Sequence, residues 1–72
     1  MQYPPFGVRI KTAREAAGLT QAVAAEAAGI SQPYLADLEA GKKDPETAVS
    51  TALGRLADLK TRLAKALGVE SL

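Results

Sequence analysis

An all-α fold of four to five helices in one compact domain is what this 72-residue sequence predicts. Apolar residues recur every three or four positions along most of its length, the period of a helix that buries one face. No stretch alternates apolar with polar over a strand's length, and alanine, the strongest helix former, supplies 15 of the residues. Glycines at 18, 29 and 68 fall just past the ends of periodic runs, where a left-handed residue commonly ends a helix.

Taken in order, residues 1–5 read as an extended arm, because Pro4 and Pro5 fix their own backbone and push Tyr3 out of the helical region. Phe6, Ile10, Ala13 and Ala17 form the stripe of a first helix from about Gly7 to Ala17, with Gly18 as its stop. Thr20 is a suitable N-cap for a second helix, Gln21 to Ala28, whose inner face is the small set Ala24, Ala25 and Ala28. Gly29 ends it and Ile30 occupies the turn. Ser31 caps and starts a third helix reaching about Ala40, with Pro33 in the first turn, where its missing N–H has no partner to lose. Leu35 and Leu38 face inward. After the loop from Gly41 to Pro45, the positions Val49, Leu53, Leu56, Leu59, Leu63 and Leu67 keep a helical period from Glu46 to Leu67. This extended C-terminal run is one long helix or two nearly continuous ones, with Gly54 or Asp58 marking the break if there is one.

A single domain of this size removes only about 60% of its unfolded surface from water, and alanine buries little area per side chain. The core is therefore thin, and a second copy of the chain is a source of further burial. The absence of cysteine and histidine excludes a disulfide framework, a thiolate or imidazole metal site, and Cys- or His-centred nucleophilic catalysis. Asp37 and Glu39 lie two apart on a helix and do not face each other, so they make a poor acid–base pair, and no enzyme, metal or cofactor is expected. No membrane span or leader is evident, and a cytoplasmic location follows by default. With nine Lys and Arg against eight Asp and Glu, the net charge of +1 leaves any nucleic-acid reading to local placement.

Two short helices joined by a glycine turn, the second opening on Ser31-Gln32, have a specific physical use. The second fits the major groove with its first turn at the base edges, and the first braces it across the backbone. Phe6-Gly7, Ile10, Arg14, Gly18-Leu19-Thr20-Gln21, Ala25, Gly29-Ile30-Ser31-Gln32, Tyr34-Leu35, Leu38-Glu39, Gly41-Lys42 and Pro45 stand at the spacing of a known pattern. On these residues the chain resembles the helix-turn-helix domains of phage Cro and lambda-repressor (XRE-like) type. The match is ungapped over residues 6–45, with looser likeness at Ala64-Lys65-Ala66-Leu67-Gly68-Val69. Such domains occur in bacterial or phage-encoded repressors, restriction-modification controllers and antitoxins.

The resemblance implies that Gln32, Pro33 and Asp37 read bases, with Ser31 at the edge of that set. A carboxamide such as Gln32 can bond adenine N6 and N7 together, Pro33 offers apolar contact to a thymine methyl, and Asp37 can accept from cytosine N4. Gln21 falls where the family holds both a phosphate and the base-reading glutamine. Lys42 and Lys43 are candidates for phosphate contact, as is Tyr34 for stacking on the backbone; Arg9 and Lys11 are weaker ones. Without the pattern, Gln32 reads as a solvated first-turn residue, the two lysines as ordinary loop charges, and Tyr34 as a partly packed ring with a free hydroxyl. Arg14 and Glu39 match the family's internal ion pair, which joins the first helix to the end of the third.

Residues 46–72 depart from the family by about ten extra residues, and Leu56, Leu59, Leu63 and Leu67 are expected to supply a two-fold dimer contact as well as core. The implied function is a dimeric repressor or autoregulator on a palindromic double-stranded DNA operator. An antitoxin that shares its leucine face with a toxin partner is the alternative, and a helical interaction module without DNA binding is a third.

Overall fold

The computed structural model describes residues 4–45 and 53–72, and four α-helices lie there: α1 Phe6–Ala16, α2 Gln21–Ala28, α3 Gln32–Glu39 and α4 Leu53–Leu67. Pro5 is extended and stands at the N-cap of α1, so the arm expected over residues 1–5 is non-helical at Pro4 and Pro5, and its first three residues lie outside the described residues. α1 starts at Phe6, one residue before expectation, and stops at Ala16; Ala17 becomes the exposed C-cap and drops out of the buried stripe. The expected beginning of the last helix at Glu46, with Val49, also falls outside the described residues. From Leu53 onward α4 is unbroken, so neither Gly54 nor Asp58 interrupts it.

Both short helices begin as their caps dictate. The Thr20 hydroxyl accepts from the Val23 N–H at 3.2 Å, and the Ser31 hydroxyl accepts from the Tyr34 N–H at 3.2 Å. Gly29 has φ +70°, a left-handed conformation, and it lets the Ile30 N–H close back on the Ala25 carbonyl. That reversal turns the chain from α2 into α3 within three residues.

Phe6, Ile10, Leu35, Leu38 and Leu63 form the fully buried centre, with Ala24, Ala25, Ala28 and Leu67 around it. The alanine face of α2 has no bulk to hold a neighbour away, so α4 packs chiefly there and brings Leu63 and Leu67 down into the space the alanines leave. α1 crosses α3 at backbone contact. A Cβ on Gly7 would collide with the Leu38 carbonyl oxygen and lie 3.0 Å from that of Glu39. Beyond Gly68 the chain returns over α1, where Arg9 donates to the Leu72 carbonyl and Leu72 packs against the core. No helix among the described residues is long and apolar enough to cross a membrane.

Candidate nucleic-acid interface

α3 divides cleanly into two sides. Leu35 and Leu38 are wholly buried, whereas Gln32 and Pro33 are exposed and Asp37 is half-exposed on the other side. Pro33 and Asp37 are four apart and therefore neighbours on one face, as are Gln32 and Ala36. Ala36 is half-exposed in the middle of that face and was not among the expected site residues; its spacing from Gln32 was the available signal. Ser31 is exposed, but its hydroxyl is engaged in the cap, so it starts the helix as well as bordering the face.

At the C-terminal end of α3 sits a charged pedestal. Arg14 Nε donates to Glu39 Oε2 at 2.7 Å and Arg14 Nη2 to Glu39 Oε1 at 3.0 Å, a two-pronged pair, while Arg14 Nη1 donates to the Leu19 carbonyl at 2.8 Å. Gln21 Nε2 donates to Glu39 Oε1 at 3.2 Å. Four segments are thus joined through one ion pair: the end of α1, the turn after it, the start of α2 and the end of α3. The side chains are 13% and 4% exposed, respectively for Arg14 and Glu39, so the pair is largely removed from water. Burial alone would push the Glu39 carboxyl up, but the Arg14 and Gln21 hydrogen bonds and the charges of Arg14 and Lys11 outweigh it and hold it below its ordinary value. The bond to Glu39 raises Arg14 in turn, against the effect of its own burial.

The expected backbone-contact residues are not all alike. Gln21 points its amide nitrogen at Glu39 and not at Gln32. Lys42 and Lys43 are exposed just past α3, and their N–H groups close on the Asp37 carbonyl. The Lys43 ammonium lies 4.0 Å from the Asp37 carboxylate and 5.3 Å from the centre of the Tyr34 ring, so the acid on the outward face has a cation beside it. Tyr34 is half-buried, with one part of the ring against the core. Arg9 turns the other way, towards Leu72 and the Phe6 ring. Lys11 is exposed.

Of the four leucines assigned to a contact between chains, Leu63 and Leu67 are 0% and 4% exposed within this chain alone. Both are taken up by the chain's own core, because the alanine face of α2 leaves them the room. Leu56 and Leu59 are half-exposed. One further residue that sequence reading passed over is Arg62 of α4, whose Nη1 lies 3.5 Å from where a Cβ on Gly29 would stand. No local pattern in the sequence links these two positions.

A family model of the helix-turn-helix domain matches residues 5–71 of the chain. No curated protein matches it. Among solved structures, the restriction-modification controller protein C.AhdI from Aeromonas hydrophila is similar, with a TM-score of 0.69 and 28% sequence identity, over 90% of this chain and 83% of that one. Capped helices across a glycine turn, an outward face on the second of them and a family match over nearly the full length agree: the chain belongs to the helix-turn-helix domain family of DNA-binding transcription regulators, of phage Cro and lambda-repressor type.

Proposed function

We propose that the protein is a repressor or autoregulator that binds a palindromic operator as a homodimer, setting the two α3 helices in successive major grooves about one helical turn apart. The observation that carries this reading is the outward face of α3. Gln32, Pro33, Ala36 and Asp37 share it, none of them belongs to the buried core, and the helix that bears them is fixed at its start by the Ser31 cap and at its end by Arg14 and Glu39. In this reading Gln32 bonds adenine, Pro33 and Ala36 meet thymine methyls, and Asp37 accepts from cytosine N4 with Lys43 offsetting its charge. Ser31 borders the set. Gln21, Tyr34, Lys42 and Lys43 set the register on phosphates. Similarity to a restriction-modification controller supports the regulatory role.

The dimer contact draws on Leu56 and Leu59, half-exposed members of the α4 stripe with side-chain surface left over, and the thin core of a 72-residue chain supports a need for it. Selection of duplexes from a random pool by the wild-type protein tests the whole reading: a two-fold-symmetric consensus is expected, and recovery of no consensus refutes it. Gln32→Ala is expected to lose about 1–3 kcal/mol of discrimination at one base pair in each half-site while keeping the other positions. An unchanged consensus removes Gln32 from its assigned role.

A further inference from the structure

Four residues of α4, Arg55, Asp58, Arg62 and Lys65, stand at spacings of three, four and three, so they share one stripe of the helix. All four are exposed, whereas Leu63, Ala64 and Leu67 of the same helix are buried. Three cations against one carboxylate give this one stripe a net charge of +2, whereas the whole chain carries +1. Arg62 occupies its centre, with Nε 3.0 Å from Asp58 Oδ2 and Nη1 against the glycine turn that leads into α3.

The distance to the reading helix is short. Gly29 is three residues from Gln32, a span of at most about 11 Å of chain, and the major groove of B-DNA is about 12 Å wide. A guanidinium packed on Gly29 is therefore within reach of the phosphate ridge beside a groove that Gln32 enters. Its partner does not hold it back. An exposed arginine–carboxylate pair is weak, and a phosphate offers the same two-pronged geometry with more charge.

We propose that Arg62, flanked by Arg55 and Lys65, forms a second backbone-binding surface that grips phosphates outside the half-site, on the side of the Gly29–Ser31 turn. This rests on the DNA-binding reading above and extends the footprint beyond the two helices that define it. The surface adds affinity and no base preference, because phosphates carry no sequence information. Asp58 acts as a placeholder, keeping the guanidinium at the turn until DNA replaces it.

The probe is the duplex that the wild-type protein selects, made once with about one helical turn of flanking DNA on each side and once trimmed to the half-sites. On the flanked duplex Arg62→Gln is expected to lower the slope of log affinity against log salt by about 0.9 for each phosphate lost per copy, while Arg62→Lys keeps it. The effect should vanish on the trimmed duplex, and ethylation of a flanking phosphate should interfere with wild type but not with Arg62→Gln. Asp58→Asn should bind more tightly at low salt. Thermal unfolding of Arg62→Gln close to that of wild type shows that the loss is not one of folding. An Arg62→Gln slope equal to wild type on the flanked duplex overturns this proposal and leaves the α3 reading intact. Absence of salt-dependent binding by wild type overturns both.

Discussion

Substituting methionine for Arg14 keeps a long side chain in place and removes both bonds to Glu39 and the one to the Leu19 carbonyl. Glu39, 4% exposed, is then left with the Gln21 amide as its hydrogen-bond donor. Stranding one partner of a buried pair costs about 3–5 kcal/mol, and the lower end applies because this pair is only part-buried, Gln21 stays and the carboxyl can take up a proton. A chain of this length has roughly 4–11 kcal/mol of stability in all, so about 3 kcal/mol is a large share, equivalent to roughly 12–24 °C in Tm. The pH dependence identifies the cause. In the wild type Glu39 is held below its ordinary pKa, so its contribution is complete above the unfolded value of about 4.3 and is lost as pH falls through the lower folded value. In Arg14→Met burial dominates, the folded value rises above the unfolded one, and the penalty fades as pH falls through it. Urea unfolding followed by circular dichroism should therefore give a wild-type-to-variant gap of about 3 kcal/mol at pH 7 that narrows towards pH 4. A gap under about 1 kcal/mol at pH 7, the size of an exposed pair, or one that does not change with pH, refutes the pedestal argument.

Gly7→Ala is expected to cost about 1–3 kcal/mol, because the new methyl meets backbone carbonyls of α3 that cannot rotate aside; a Tm equal to wild type would show that α1 and α3 separate at no cost. Ser31→Ala removes the cap of α3 and should lower stability by about 1 kcal/mol in the same melts, with operator affinity falling at least in proportion. Leu63→Ala should cost about 2–5 kcal/mol whatever the protein concentration, since that side chain serves its own chain. Leu56→Lys should leave the fold in place and halve the mass seen in sedimentation; an unchanged mass removes Leu56 from the contact between chains.

The helices were legible because their signals are local: Thr20 and Ser31 are caps, Gly18 and Gly29 are stops, and Phe6 with Ile10 on α1 and Leu35 with Leu38 on α3 each stand at helical spacing. Arg14 and Glu39 were paired only through the resemblance, since nothing within a window of either residue points to the other across 25 positions. The division of the C-terminal leucines was not legible. Leu56, Leu59, Leu63 and Leu67 look equivalent along the helix, and what separates them is the depth of the alanine face opposite, a property of packing between α2 and α4. Ala36 and Arg62 were missed for related reasons. An alanine carries no chemical signal of its own, and the nearness of Arg62 to Gly29 exists only once α4 lies on α2.

The backbone contact between Gly7 and α3 gives the reading helix a fixed bearing that owes nothing to the residues it presents to DNA. Its seat is built from main-chain atoms, two leucines, a cap and an ion pair, all on the inner side or at the ends. The outward residues are therefore interchangeable parts. Position 32, 33, 36 or 37 can be rewritten by drift or by design to suit another operator, and the scaffold beneath will hold the new letters at the same height and angle.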